Sequence, residues 1–75
     1  MFKSLKKKVM SRLVRQSEIG AMEAEIMIQF YRDILEYEKD ELSEQHKNDY
    51  LVKIKTLEAN KEFNEKAVRY IKPLL

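Results

Sequence analysis

The sequence predicts an all-α protein: a long antiparallel helical hairpin preceded by a short basic amphipathic helix, and dimerising into a helical bundle. Apolar residues recur at steps of three and four over most of the 75 residues, which is the spacing of one helix face. Gly20 and Pro73 are the only glycine and proline, so little interrupts the helices between them. The chain has no Asn-Gly or Asp-Gly turn and no sustained apolar–polar alternation, so strands are not expected.

The first predicted element is a basic amphipathic helix over residues 2–15, within a segment that ends at residue 16. Its apolar stripe is formed by Phe2, Leu5, Val9 and Leu13. Every charged residue in this segment is basic, and the six together form the predicted interaction surface: Lys3, Lys6, Lys7, Lys8, Arg12 and Arg15.

A bend is expected after this helix, between residues 16 and 20. Ser17 is a competent N-cap, and Gly20 tolerates unusual backbone angles. The alternative is a continuous helix in which Gly20 marks a close contact with a neighbour, at a helix cost of about 1 kcal/mol against alanine.

The second predicted element is an acidic helix over residues 17–46. Ten acids and three bases lie between residues 17 and 49, so this stretch carries a net charge of −7. One apolar stripe repeats at an average of 3.6 residues, the period of a straight helix. It contains Ile19, Met22, Ile26, Phe30, Ile34 and Tyr37. A second apolar set lies beside it: Ala24, Ile28, Tyr31, Leu35 and Leu42. Such a wide apolar arc is more than one partner helix covers.

The third predicted element is a C-terminal helix over residues 49–72, after a polar turn at residues 43–49. Asn48 is the expected N-cap and Pro73 the expected terminator. One face carries Tyr50, Ile54, Leu57, Val68 and Ile71, and the opposite one Val52, Ala59, Phe63, Ala67 and Tyr70. The predicted helix-packing or dimer core is Ile19, Met22, Ile26, Phe30, Ile34, Tyr37, Ile54, Leu57, Val68 and Ile71. A single rod-like helix over residues 17–72 is the weaker alternative, because the turn is so polar.

Chain length predicts one domain, residues 1–75, and an incomplete core. A chain this small buries only about 60% of its unfolded surface, and without cysteine it has no disulfides to supplement the core. A homodimer with a four-helix core is therefore expected. The absence of cysteine, of a long apolar run and of an uninterrupted signal-like stretch fits a cytoplasmic protein, with membrane association left open.

The residue inventory predicts no catalytic site, cofactor or metal. His46 is the only histidine, and we expect it to be solvated near a helix C-terminus. Glu44 lies two residues before it, which is the wrong spacing for a Glu-x-x-His metal motif. The acidic run from Glu36 to Glu44 lacks the spacing of a calcium loop, so a solvated helix face is the better interpretation.

These observations favour a non-enzymatic helical module for protein interaction or regulation, acting as a homo-oligomer with a protein partner that the sequence does not identify. One alternative is a peripheral membrane binder that lays the basic helix on anionic lipid. Another is non-specific nucleic-acid binding through the same bases, although the acidic middle opposes it. The simplest interpretation has the basic helix pack on the acidic hairpin with no outside partner.

Overall fold

The protein is a two-helix antiparallel hairpin. A computed structural model describes residues 2–75, with Phe2 described by its backbone alone. Helix α1 spans Phe2–Tyr37 and helix α2 spans Glu44–Ile71, followed by a 3-10 turn at Lys72–Leu74. Together they form a rod with dimensions of 60 × 15 × 14 Å. The all-α class and the helical hairpin are confirmed, and the single rod-like helix is wrong because the two helices pack against each other.

Helix α1 is continuous where a bend was expected. Residues 16–20 are helical, so the predicted helix 2–15 and the first part of the predicted helix 17–46, up to Tyr37, are one element. Ser17 is half-buried between the helices and does not cap a helix. A Cβ added to Gly20 would lie 2.8 Å from the amide nitrogen Nδ2 of Asn64 in α2. Gly20 therefore allows the two helices to approach closely at Asn64, and it does not bend α1.

The turn lies earlier than predicted, at residues 38–43 instead of 43–49. Helix α1 ends at Tyr37, and the Leu42 N–H donates to the Glu38 carbonyl at 3.1 Å. Ser43 has extended backbone angles, φ −68° and ψ 160°, and its hydroxyl accepts from the His46 N–H at 3.2 Å. This is N-cap geometry, and Glu44 then lies in the first turn, where a carboxylate complements the helix dipole. Asn48, the predicted cap, lies inside α2.

The C-terminal end of α2 agrees with the prediction from Pro73. Regular helix stops at Ile71, and proline then occupies the first turns of the 3-10 segment. The expected reason is wrong, because Lys72, the residue before the proline, keeps right-handed helical angles, φ −54° and ψ −43°. The α-helix ends because Pro73 has no N–H to continue the hydrogen-bond ladder.

A seam of sixteen buried or half-buried residues holds the two helices together. Their spacing alternates between three and four residues, an average of 3.5, which is the repeat of a left-handed coiled coil. In α1 the seam consists of Met10, Val14, Ser17, Ala21, Ala24, Ile28, Tyr31 and Leu35. In α2 it consists of Lys47, Tyr50, Ile54, Leu57, Lys61, Asn64, Val68 and Ile71. Among hydrophobic residues in the described part of the chain, only Val14, Ala24, Ile28 and Ile54 are buried, and the others are half-buried or exposed.

Candidate interaction surfaces

The ten predicted core residues divide between the seam and the outside of the hairpin. The four in α2 lie in the seam, with Ile54 buried and the other three half-buried. In α1 only Ile34 is half-buried, whereas Ile26 is 65% exposed and Phe30 is 53% exposed. Ile19, Met22 and Tyr37 are also exposed. The helix-packing role expected for these five residues therefore belongs to the second apolar set, which contains Ala24, Ile28, Tyr31 and Leu35.

The two apolar sets of α1 have different periods, which explains this division. A stripe with a 3.6-residue repeat drifts by about 20° per heptad from a seam with a 3.5-residue repeat. Over the 18 residues from Ile19 to Tyr37, the stripe therefore rotates by about 50° relative to α2. It starts on the outside of α1 and reaches the edge of the seam near Ile34, the one half-buried member.

One long side of the hairpin is an apolar face. Helical-wheel placement around the seam puts these side chains on the same flank of the two helices. Its apolar members are Leu13, Met27, Phe30 and Ile34 from α1 and Phe63 and Tyr70 from α2, with Val52 at its outer margin. The polar residues Gln16, Glu23, Lys53, Thr56 and Asn60 lie among them. The apolar members except Ile34 are exposed, and an open hollow lined by Met27, Val52 and Lys53 lies at the turn-proximal part of the face. Within residues 2–75, no further helix packs on this face.

Near the turn, the apolar face borders a small aromatic cluster. The rings of Tyr31 and Tyr50 lie 5.5 Å apart between centroids, and the Tyr31 ring contacts Phe30 edge-on at 5.7 Å. The Lys53 ammonium lies 5.4 Å from the centre of the Tyr31 ring, a cation–π arrangement. The cluster closes the seam where the helices approach the turn.

The opposite long side is an ionic face. Three ion pairs cross between the helices there: Arg32 with Glu58 at 2.8 Å, Lys61 with Glu25 at 2.6 Å, and Lys72 with Glu18 at 3.9 Å. Their order along the two helices fixes the antiparallel register. Met22 and Leu51 are the exposed large hydrophobic side chains that wheel placement puts on this side.

The pair between Lys61 and Glu25 perturbs both groups. The hydrogen bond from the Lys61 ammonium, reinforced by its charge, holds the pKa of Glu25 below its ordinary value. The same hydrogen bond raises the pKa of Lys61. Lys61 is a seam position, and a lysine there whose partner is Glu25 favours one register of the two helices over others.

The two ends of the rod carry opposite charge. We define the basic end as residues 3–17 with residues 66–75, which contain nine bases and no acid. Lys3, Lys6 and Lys7 line one hollow with Leu74 and Leu75, so the two segments meet. The acidic end, residues 33–49, contains seven acids and two bases, a net charge of −5.

All six predicted basic interaction residues, Lys3, Lys6, Lys7, Lys8, Arg12 and Arg15, are exposed at the basic end. Leu5, Val9 and Leu13 are exposed between them, whereas the side chain of Phe2 lies outside the described residues. The fold places these bases beside the basic end of α2 and far from the acidic turn. The same segment contributes Met10 and Val14 to the seam against α2, so it packs within the hairpin while its charges lie away from the acidic turn.

His46 lies in the first turn of α2 rather than near a helix C-terminus. Its ring nitrogen Nδ1 is 3.0 Å from the Ser43 hydroxyl, so it belongs to the cap of α2. Over residues 2–75 no three carboxylate or imidazole groups converge in a way that would hold a metal ion. Within the same residues no helix combines the length and apolar character required to cross a membrane.

Comparisons with protein-family models, with curated proteins and with solved structures find no match for this chain.

Proposed function

We propose that this chain is a non-enzymatic helical interaction module that works as a homo-oligomer, with the apolar face as the surface shared between copies. The observation that carries the proposal is an exposed apolar face along a hairpin in whose described part only four hydrophobic residues are buried. Two packed helices have too little core of their own, and association is a common supplement in chains of this size.

The exposed area supports the same conclusion. The chain exposes 6420 Å² for a mass of 9.0 kDa. A compact monomer of that mass exposes about 4,900 Å² by the usual scaling of surface with mass. The difference of about 1,500 Å² exceeds the roughly 800 Å² that each partner buries in an interface of standard size. One more hairpin packed on the apolar face in an interface of standard size would bury about half of that excess.

The test is a pair of matched double variants examined by sedimentation equilibrium. Phe30→Lys with Phe63→Lys places two charges on the apolar face, where the wild-type residues are 53% and 72% exposed. We expect this variant to sediment as a monomer or to lose helicity at concentrations at which the wild type is a dimer. Met22→Lys with Leu51→Lys, similarly exposed on the ionic face, is the control and should remain dimeric.

A concentration series provides an independent reading if the first variant unfolds. The melting temperature of a dimer rises with protein concentration by mass action, whereas that of a monomer does not. A wild-type chain that is a compact monomer at high micromolar concentration, with a concentration-independent melting temperature, would contradict the proposal.

The basic end supports a second candidate function, peripheral binding to an anionic lipid surface. The supporting observation is that exposed Leu5, Val9 and Leu13 lie among bases with no acid nearby. Apolar side chains between cationic ones suit the boundary between lipid headgroups and acyl chains. Nucleic acid would be bound by the charges alone, with no use for the three apolar residues.

Vesicle binding tests this candidate in the full-length chain, because Val14 is buried and removal of residues 1–16 would damage the seam. Lys6→Gln with Lys7→Gln should weaken binding to phosphatidylserine vesicles about 30-fold, since each base near the surface contributes roughly 1 kcal/mol. Lys53→Gln with Lys55→Gln is the control. Leu5→Ser with Val9→Ser should weaken vesicle binding but not duplex DNA binding. Unchanged vesicle binding in both double variants would reject the lipid role. Binding of the wild type to duplex DNA but not to vesicles would reject it as well.

A further inference from the structure

The hairpin is electrically asymmetric along its length as well as across its width. Its basic end carries nine positive charges and its acidic end a net −5, and the rod is 60 Å long. Two of the described interhelical ion pairs lie between these ends, at Glu25 and Arg32 of α1, and the third joins Glu18 to Lys72 of the basic end. Most charges at the two ends therefore form no ion pair between the described residues of the two helices.

We infer that the second copy lies antiparallel on the apolar face, with the basic end of each hairpin beside the acidic end of the other. This inference rests on the proposed homo-oligomer and adds the orientation of the partner. In a parallel pair, nine bases would face nine bases. In an antiparallel pair, each of those groups faces a net negative segment.

The distribution of the apolar face permits this orientation. The face runs from Leu13 and Tyr70, near the basic end, to Ile34 and Val52, near the turn. Phe63 lies between, at the level of Gly20, since Gly20 packs against the adjacent residue Asn64. A twofold axis near Phe63 therefore lays the whole apolar face of one copy on that of the other, an isologous contact.

The same arrangement separates like charges while leaving the ionic faces outside. The two ionic faces point away from the contact, where their ion pairs remain in water. An antiparallel pair of hairpins gives a four-helix assembly of the up-down type, in which helices pack around a shared apolar core.

Pulsed electron resonance on spin-labelled protein tests the orientation. The chain has no cysteine, so one introduced cysteine carries one label. Ser4→Cys labels the basic end and Lys39→Cys labels the acidic end, both at exposed positions. Circular dichroism checks that each labelled variant retains its helicity.

The antiparallel pair gives a distinct set of distances. Labels at Ser4 of both copies should be separated by a distance on the order of the 60 Å rod length, and labels at Lys39 likewise. A mixture of the two labelled variants should add a short distance of roughly 20–30 Å, a few interhelical spacings.

The other outcomes separate the two proposals. Short distances between identical labels, with no short distance in the mixture, would show a parallel dimer: the orientation would be wrong and the homo-oligomer would stand. No pair distances at all, at concentrations up to high micromolar, would remove the homo-oligomer and the orientation with it.

Discussion

At the scale of single residues, the register of the hairpin depends on polar groups placed inside its seam. Lys61 is a seam position, and its ammonium reaches Glu25 at 2.6 Å. Asn64, one turn further, lies against Gly20, the one residue small enough to admit it. An aliphatic seam would allow the helices to slide by a heptad, whereas these contacts are satisfied in one register. Both residues therefore contribute more to specificity than to stability.

The Glu25 carboxyl should report this contact through its titration. Its pKa is lowered from an ordinary value of 4.5, mainly by the hydrogen bond from Lys61. Because the folded-state pKa is the lower one, the stabilisation is present above the ordinary carboxyl pKa and is lost as the pH falls through the lowered value. The pair is exposed, so the effect on unfolding should be small.

Carbon-detected NMR titration of Glu25 measures this directly. In Lys61→Met the pKa of Glu25 should return toward its ordinary value, and in the control Lys66→Met it should stay low. An unchanged Glu25 pKa in Lys61→Met would show that the contact is absent in solution.

At the scale of elements, the start of α2 is set by side-chain capping. Ser43 has the extended backbone and the accepting hydroxyl of an N-cap, and the half-buried Leu42 before it anchors the turn. The sequence offered two competent caps, Ser43 and Asn48, and the polar stretch around them concealed which one is used. The helix begins at the first of them because residues 44–49 gain backbone hydrogen bonds by joining α2.

Alanine substitution at the two caps should have unequal effects. Ser43→Ala removes the acceptor for the His46 N–H and should destabilise the protein by about 1 kcal/mol. Asn48→Ala, at an exposed position inside α2, should be neutral or slightly stabilising because alanine is the better helix former. Urea unfolding followed by circular dichroism gives both values. A larger loss for Asn48→Ala would place the helix start where the sequence pattern alone put it.

The residues of the seam show why the sequence predicted the presence of helices better than it predicted which side chains lie between them. Its α1 half includes small residues, Ser17, Ala21 and Ala24, which are weak hydrophobic signals beside Phe30 or Ile26. Its α2 half includes Lys61 and Asn64, which interrupt the apolar pattern. The signal that identifies the seam is the strict alternation of steps of three and four in both helices. The larger side chains of the first apolar stripe in α1 repeat every 3.6 residues, and most of them lie on the outside of the hairpin.

At the scale of the whole molecule, charge is sorted both along and across the rod. The sequence singled out the six bases of residues 3–15 but left open whether their helix is packed or exposed, and it did not predict their neighbours in α2. Folding back at residues 38–43 brings Lys66, Arg69 and Lys72 to the same end and carries the acidic segment to the other. That distribution follows from the register of the hairpin, which the sequence pattern did not fix.

Association between copies should therefore depend on salt and on the basic end. Replacing Lys3, Lys6, Lys7 and Lys8 with Gln should raise the dimer dissociation constant about tenfold at low ionic strength, since exposed ion pairs contribute roughly 0–1 kcal/mol each. The difference should disappear near 1 M salt, where the screening length is only about 3 Å.

Sedimentation equilibrium at the two salt concentrations measures the change. Lys55→Gln, on the ionic face of α2, should have a much smaller effect. Tighter association of the quadruple variant at low salt would indicate that the basic ends repel each other across the interface.

Charge separation along the rod also affects the rate at which two molecules meet productively. A long particle with positive charge at one end and negative charge at the other exerts a torque on an approaching copy and turns it head to tail before contact. The torque acts over about 10 Å at 0.1 M ionic strength, so it operates only in the last stage of the encounter. Collisions in dilute buffer thus begin closer to the docked orientation, and the association rate constant should fall more steeply with salt than the dissociation rate constant rises.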